Sequence, residues 1–211
     1  MKIIINESQL RLIVENEDKS LIDFTSFVDD DVDPVKWDDM FEHLNKKKGG
    51  IYDGYYINGD VDLQDSNITQ LKYLVIVEGF LDLNNTPIES LPMLSYVEGF
   101  LSLKNSQIES LPMLEYVGRS LYLRHSQIEF LPMLKYVGSS LSLYNSQIES
   151  LPKLEYVGID LDLYNSKIES LPKLEYVGND LFLQFTPLSE TTTREELRKQ
   201  IKVKGNIFLW K

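Results

Sequence analysis

The sequence predicts a solenoid of stacked parallel β-strands, and three observations carry this prediction. The stretch SLPKLEYVGIDLDLYNSKIE, residues 150–169, recurs with a period of twenty residues over most of the chain. Each copy contains the pattern Leu-x-Leu, whose alternation is typical of a strand with one buried face. Most copies also carry proline between successive strands, where its fixed φ and missing N–H disfavour a helix. A fixed period this short indicates a repeat protein in which each copy stacks on its neighbours.

Four columns of the repeat keep one residue type, and we expect the repeats to occupy residues 51–188. The columns are Leu101, Leu121, Leu141, Leu161 and Leu181; Leu103, Leu123, Leu143, Leu163 and Leu183; Ile88, Ile108, Ile128, Ile148 and Ile168; and Pro92, Pro112, Pro132, Pro152 and Pro172. A copy this short has room for one strand and an extended or polyproline-like return, with neighbouring strands about 4.8 Å apart. Because one copy buries too little apolar surface to fold alone, the array is stable only as a stack.

Residues 1–50 are expected to form an N-terminal helical segment and a cap. Asn6 and Gln9 suit the start of a helix over residues 7–17, with Leu10 on its apolar face. The opening ESQLRLIVENE resembles the first residues of many phage-encoded proteins. The acidic residues 18–33 that follow lack the glycine and final glutamate of a calcium loop, so we expect a solvated linker.

A second helix is predicted immediately before the repeats. Asp33 and Pro34 form a favourable start, with a capping side chain followed by proline at the first helical position. Gly49 and Gly50 are suited to end it, after a run of lysines that favours the negative end of the helix. Its apolar stripe is Trp37, Met40, Phe41 and Leu44. Since the open end of a solenoid exposes its core, this amphipathic helix is interpreted as a cap.

The stretch LPKLEYVGIDLDLYNSKIESLPKL resembles the short, twenty-residue leucine-rich repeat of bacterial and phage-encoded proteins. The resemblance covers about residues 57–188 and implies a leucine-rich-repeat solenoid that recognises a partner on its concave strand face. The sequence departs from the family at the position where an asparagine side chain bonds the backbone of adjacent turns. That column here is Ser66, Thr86, Ser106, Ser126, Ser146, Ser166 and Thr186, and asparagines stand one place earlier in four of the copies. A hydroxyl makes fewer hydrogen bonds than an amide, so the detail of the ladder is expected to differ.

Residues 189–211 are expected to form a C-terminal cap of one helix and one strand. Thr193 and Glu196 fit a capping box for a helix that ends near Ile201. The segment VKGNIFLWK then repeats the strand register, so Ile207 is expected to begin a last strand with Leu209. We expect Trp210 to pack over the end of the core.

Composition excludes several classes of protein. The chain of 211 residues has a formal net charge of -12 and no cysteine. An acidic surface repels phosphate, which argues against nucleic acid and anionic membranes as partners. Without cysteine there is no disulfide, thiolate metal site or cysteine nucleophile. No apolar run approaches the roughly 18 residues of a membrane span. We therefore expect a cytoplasmic location, or the host cytoplasm or virion if the chain is phage-encoded.

Enzyme chemistry has little support in the sequence. The two histidines, His43 and His125, lie in different regions, and no glycine-rich phosphate loop or metal-spaced cluster is present. We predict no catalytic activity, no cofactor and no metal.

The positions between the constant columns vary from copy to copy, and these are the candidate binding residues. They combine tyrosine, phenylalanine and arginine, which are enriched at binding hot spots. The predicted surface comprises Lys104, Arg119, Tyr122, Arg124, His125, Tyr144, Asp162, Tyr164, Phe182 and Phe185. The alternative is that strand-face aromatics stack on one another and stabilise the sheet.

Two further columns are interpreted as products of duplication and packing. One is Glu89, Glu109, Glu129, Glu149 and Glu169, and the other is Tyr96, Tyr116, Tyr136, Tyr156 and Tyr176. The glutamates could meet a cation or a basic partner, but copying explains them equally well. The tyrosines are expected to form a packed stack.

The leading functional hypothesis is a non-catalytic recognition module that binds a protein through the concave strand face. The runner-up is carbohydrate binding, with Tyr144 and Tyr164 as stacking platforms. A third hypothesis is a structural component of a phage or bacterial particle, held by its N-terminal helix.

Overall fold

The computed structural model of the chain describes residues 21–26 and 33–210. The predicted helix over residues 7–17 and most of the acidic segment lie outside the described residues. No helix in the described part of the chain has the length and apolar character needed to cross a bilayer.

The predicted stack of parallel strands is confirmed. The described residues form two parallel sheets, with the following strands in that part of the chain. The first, called here the tyrosine sheet, has nine strands: β1 Leu21–Asp23, β2 Gly54–Ile57, β4 Leu74–Val77, β6 Tyr96–Val97, β8 Tyr116–Val117, β10 Tyr136–Val137, β12 Tyr156–Val157, β14 Tyr176–Val177 and β16 Lys202–Val203. The second, the leucine sheet, has eight: β3 Val61–Asp62, β5 Leu81–Asp82, β7 Leu101–Ser102, β9 Leu121–Tyr122, β11 Leu141–Ser142, β13 Leu161–Asp162, β15 Leu181–Phe182 and β17 Ile207–Phe208. Each row of the solenoid, meaning one copy of the repeat, contributes one strand to each sheet.

The register from row to row follows the sequence period. Leu141 pairs with Leu121 on one side and Leu161 on the other, and Val137 pairs with Val117 and Val157. The constant leucine, isoleucine and valine columns form one continuous buried core. Apolar residues in register therefore stack directly on their own copies, and this stacking provides the burial that a single row lacks.

The return between the strands is non-helical, as predicted. In the row around Pro112, the N–H of Leu114 donates to the carbonyl of Leu111 at 3.4 Å, which places proline second in a β-turn. The chain then enters the tyrosine sheet. A second strand in every row was not predicted, although the Tyr-Val pair shows the same outward and inward alternation as Leu-x-Leu.

A column of glycines allows the rows to approach closely where the chain passes from the tyrosine sheet to the leucine sheet. A Cβ built on Gly158 would lie 1.9 Å from the carbonyl oxygen of Gly138, and one on Gly178 would lie 1.8 Å from that of Gly158. A side chain at this corner would force the rows apart, so only glycine suits these positions.

The N-terminal cap is confirmed in its main features. Asp33 caps a short 3₁₀ segment, Pro34–Lys36, which continues into helix α1, Trp37–Lys47. Trp37 and Phe41 are buried in the core, with Met40 and Leu44 packed against them. One prediction is wrong: residues 18–33 are not a linker throughout, since β1 pairs with β2. Phe24 is fully buried and stacks on Tyr55 with ring centroids 4.4 Å apart.

The C-terminal cap matches the prediction and includes an additional short helix. Helix α2, Pro187–Thr191, precedes α3, Arg194–Gln200, which begins with the predicted capping box of Thr193 and Glu196. The chain then adds β16 and β17, so the last row repeats the two-strand pattern. Leu197 and Ile201 cover the end of the core.

Candidate functional site

The predicted binding residues lie mainly on the outer face of the leucine sheet. Each strand of this sheet buries its leucines and directs the residues between and after them outward. Because the register is strict, equivalent outward residues form columns that run along the solenoid at a spacing of about 4.8 Å. The face can therefore be described column by column.

One group of outward residues is a continuous line of aromatic rings, called here the aromatic strip. It consists of His125, Tyr144, Tyr164, Phe185 and Trp210. The His125 and Tyr144 rings meet edge-on at 5.6 Å, and Tyr144 stacks on Tyr164 at 5.2 Å. Tyr164 meets Phe185 edge-on at 5.2 Å, and Phe185 stacks on Trp210 at 6.4 Å. Phe185 and Trp210 are 58% and 62% exposed, so the strip is open to solvent at its C-terminal end.

Two members of the aromatic strip interrupt an asparagine ladder. The third residue after each leucine-sheet strand adopts a left-handed backbone in the seven rows where it is described, with φ between 52° and 59°. Asparagine tolerates this conformation well. Its side chains also bond from row to row: the amide of Asn105 donates to Asn85 at 2.8 Å, and that of Asn165 donates to Asn145 at 2.7 Å. His125 and Phe185 occupy the same column, and there the ladder is broken.

Five of the seven hydroxyls in the hydroxyl column bond within their own row, whereas those of Ser66 and Ser146 have no hydrogen-bond partner among the described residues. The Ser106 hydroxyl donates to the carbonyl of Leu103 at 2.8 Å, and Thr186 donates in the same way to Leu183 at 2.7 Å. Side-chain bonds between rows are made by the asparagine column one place earlier, from one amide to the next. This is the expected departure in the detail of the ladder.

A second outward column combines aromatic, charged and small residues. The ammonium of Lys104, which belongs to the neighbouring column of Arg124, lies 4.4 Å from the centroid of the Tyr122 ring. Phe182 stacks on Phe208 at 4.8 Å. Asp162 lies between these pairs, and its carboxylate accepts a hydrogen bond from the N–H of Tyr164 at 3.1 Å. Burial raises the pKa of Asp162, while the N–H of Tyr164 and the positive charge of Arg124 act to lower it.

The two predicted arginines differ in position. Arg124 lies in the same column as Tyr144 and is exposed. Arg119 lies at the corner before β9, where its backbone N–H donates to the carbonyl of Gly99 at 3.1 Å. Within the described residues neither guanidinium takes part in an ion pair. Both charges are thus available on the surface of an acidic chain.

Several outward polar residues are structural. Asp160 accepts hydrogen bonds from the N–H of Asp180 and the amide of Asn179, and Asp180 accepts one from the N–H of Asn206. Asn145 and Asn165 belong to the asparagine ladder. Their variation between rows therefore does not identify them as binding residues.

Trp210 and Phe208 were not predicted to belong to this face. Trp210 was expected to pack over the end of the core, and that prediction is wrong, since the side chain is largely exposed and stacks on Phe185. The alignment of VKGNIFLWK with the repeat register already places both residues in outward positions, but it was used only to predict the last strand. Phe208 pairs with Phe182, so Trp210 follows in the column of Gln184.

The tyrosine column and the glutamate column lie outside this face. The five tyrosines of the tyrosine sheet stack at 4.7–4.8 Å with their rings within 5° of parallel, which confirms the predicted stack. The five glutamates of the return are exposed. In the part of the chain that the structure describes, no three acidic or histidine side chains come together as a metal site requires.

Comparison of the chain with models of protein families, with curated proteins and with solved structures gives no match.

Proposed function

We propose that this chain is a non-catalytic recognition module that binds a protein partner through the outer face of the leucine sheet. The aromatic strip is the centre of the proposed surface, with Tyr122, Arg124 and Phe182 beside it. The observation that carries the proposal is the interruption of the asparagine ladder at His125 and Phe185, both of which add their rings to the strip.

The tyrosine sheet provides an internal comparison. There, tyrosine recurs in five successive rows and stacks at the repeat spacing, as packing alone requires. The aromatic strip uses histidine, tyrosine, phenylalanine and tryptophan in different rows and columns. A bulky residue with a left-handed backbone, as at Phe185, is an outlier that costs stability. Folding does not require this arrangement, so we attribute it to recognition.

The type of partner follows from the ring geometry. A sugar binds an aromatic side chain through an open ring face. Tyr144 and Tyr164 stack on each other with an angle of 12° between their planes, so each covers one face of the other. Edges, hydroxyl groups and the exposed rings of Phe185 and Trp210 suit the irregular surface of a protein. Carbohydrate binding is therefore the second candidate.

The resemblance to leucine-rich repeats supports the same proposal, and we propose that the chain is a divergent member of that family. The repeat length, the leucine columns and the proline in the return agree with it. The asparagine column, displaced by one residue, is its main departure from the family pattern.

The test is partner capture by a variant that lacks the aromatic strip. We expect Tyr144→Ser, Tyr164→Ser, Phe185→Asn and Trp210→Ser together to abolish capture of the partner, measured by crosslinking in the native host followed by affinity purification and mass spectrometry. The matched control is Phe130→Ser. Phe130 is 59% exposed, but it lies in the return beside Ser110, so its loss should leave capture intact. Unchanged capture by the strip variant, with an intact thermal melt, would contradict the proposal, and a glycan-array hit would favour the second candidate.

A further inference from the structure

The outer face of the leucine sheet contains a gap in one of its columns. The register places Tyr122 beside Ser142, Ser142 beside Asp162, and Asp162 beside Phe182. Two rows with small side chains therefore separate two rows with rings. At a strand spacing of about 4.8 Å, this leaves an opening several ångströms wide between Tyr122 and Phe182.

Two tyrosines close one side of this opening. Tyr144 and Tyr164 stand two residues beyond Ser142 and Asp162 in the same rows. Strand alternation therefore places their stacked rings on the same face, beside the opening. We call the whole feature the aromatic notch: Tyr122, Ser142, Tyr144, Asp162, Tyr164 and Phe182. By register, the rings of Tyr122 and Phe182 lie at its two ends, and the carboxylate of Asp162 lies between them.

The carboxylate of Asp162 has capacity for a further partner. Its Oδ1 accepts the N–H of Tyr164, and no group in the described residues donates to its Oδ2. Arg124 is close enough to affect the carboxylate electrostatically but forms no ion pair with it. Asp160, in contrast, accepts two hydrogen bonds from the next row. Asp162 is therefore a half-buried carboxylate whose charge is only partly compensated.

We propose that the aromatic notch binds a lysine or arginine side chain of the protein partner. The inference rests on the proposed function, because it assigns the chemistry of one contact within that surface. Aromatic faces and edges around a carboxylate favour an organic cation, through cation–π attraction and a charge-assisted hydrogen bond. A chain with a net charge of -12 also attracts a basic partner over longer distances.

The site is better suited to an organic cation than to a metal ion. A divalent metal needs several oxygen ligands, and the notch supplies one carboxylate. The rings contribute no ligand atoms to a metal, whereas they cover the methylene groups of a lysine or the plane of a guanidinium. A long basic side chain can therefore use both parts of the notch.

The experiment uses the full-length chain and capped single amino acids as probes. N-acetyl-lysine methylamide and N-acetyl-arginine methylamide are titrated while NMR signals of the side chains are followed. We expect saturable shifts at Tyr122, Asp162 and Phe182, and none with N-acetyl-norleucine methylamide, which has no charge. Asp162→Asn keeps the hydrogen bond to Tyr164 and should weaken binding about tenfold. Ser142→Phe keeps the charge, fills the opening and should also abolish the shifts.

Asp82→Asn is the matched control. Asp82 lies in the same column and accepts the N–H of Asn84 at 3.0 Å, but its neighbours are Asp62 and Ser102 rather than rings. Its substitution should leave probe binding unchanged. Equal weakening by the two aspartate variants, or unchanged binding in Asp162→Asn, would overturn the inference and indicate attraction by net charge alone.

Partner capture separates this inference from the proposed function. If Asp162→Asn captures the partner normally while the strip variant does not, the recognition surface stands and the cation site is rejected. If the probes bind at the notch but the strip variant still captures the partner, the notch binds cations and the proposed recognition surface is rejected. Loss of capture in both variants, together with saturable probe binding, supports both.

Discussion

His125 adopts a left-handed backbone conformation at a position that asparagine occupies in most other rows of the solenoid. Its φ of 58° is close to the 56° of Asn105 and the 57° of Asn145. The asparagines in this column combine tolerance of the left-handed region with an amide that bonds the next row. His125 keeps this backbone conformation but lacks the amide group that forms the hydrogen bonds of the ladder. At the residue scale, the proposed surface thus lies where local stability has been reduced.

This trade-off predicts the effect of His125→Asn. An asparagine at position 125 could donate to Asn105 and accept from Asn145, which would complete the ladder across three rows. We expect the free energy of unfolding to rise by about 0.5–1 kcal/mol, with a gain in Tm of roughly 1–4 °C for a chain of this size. Urea denaturation and calorimetry measure both quantities.

The control for this prediction is Asn145→His, which removes the acceptor of the Asn165 amide. It should lower the free energy of unfolding by a similar amount. If His125→Asn proves less stable than the unchanged chain, the asparagine ladder does not contribute the stability assigned to it here.

At the element scale, the tyrosine sheet carries an outer stack of five rings along its length. The hydroxyl of Tyr96 donates to Glu98 at one end of the stack, and the ammonium of Lys204 lies 5.4 Å from the Tyr176 ring at the other. Burial raises the pKa of Tyr96 and Tyr136, and it raises the pKa of Tyr116 to about 12. The stack therefore consists of protonated, uncharged tyrosine side chains.

The raised tyrosine pKa values predict a loss of stability at alkaline pH. An unfolded tyrosine ionises near pH 10, whereas folded Tyr116 keeps its proton to about pH 12. Between these values the folded chain binds more protons than the unfolded chain, so the free energy of unfolding falls as pH rises. Urea midpoints at pH 8, 10 and 11 should decrease, and less steeply in Tyr96→Phe with Tyr116→Phe. An identical decrease in the double variant would show that other groups, such as lysines, cause it.

At the scale of the whole molecule, helix α3 covers carbonyls at the C-terminal edge of the tyrosine sheet. Carbonyls in the tyrosine sheet accept N–H groups from the following row, as when Lys204 donates to Val177 and Gly205 donates to Asn179. In the last row, the carbonyls of Val203 and Gly205 accept instead from Arg198 at 2.8 and 2.7 Å. One guanidinium thus occupies two acceptors that a further row would use, and this protects an edge that could otherwise pair with another chain.

Substitution of this arginine should therefore change both stability and association. We expect Arg198→Met to lower the free energy of unfolding by about 1–2 kcal/mol. We also expect light scattering after gel filtration to show more concentration-dependent association than the unchanged chain. Lys199→Met, one residue along the same exposed helix surface, is the control. Equal association in the two variants would contradict a specific role for Arg198.

The repeat period predicts much of this fold, because the structure of one row and its contacts recur in the rows on either side. The leucine and isoleucine columns, the capping helix with Trp37 and Phe41, and the capping box at Thr193 are all local patterns with a single packing solution. The second sheet was missed because the tyrosine column was interpreted as a packed stack, without reading the Tyr-Val pair of each row as a strand. The left-handed column was missed because its positive φ is imposed by the turn that leads into the return. All copies share this turn, so comparing them does not show its backbone conformation.

The candidate site is less predictable, because variation between copies has more than one cause. Asp160 and Asp162 look equivalent in the sequence, yet one bonds the next row and the other faces the notch. Trp210 follows the repeat register, but a tryptophan near the C-terminal cap also suits the end of the core, and the sequence does not distinguish the two positions. Sequence variation selected the outer face of the leucine sheet as the candidate, and the contacts between rows show which of its polar side chains already have hydrogen-bond partners.

The uniform row length also has a mechanical consequence. If the two ends were pulled apart along the solenoid axis, rows would detach one after another, because each is bonded only to its two neighbours. Each detached row would release twenty residues of chain, a contour length of about 66–72 Å. In an optical trap or force microscope, the molecule would extend in steps of nearly equal length as the rows unfold. The terminal caps differ in structure and would give steps of other lengths.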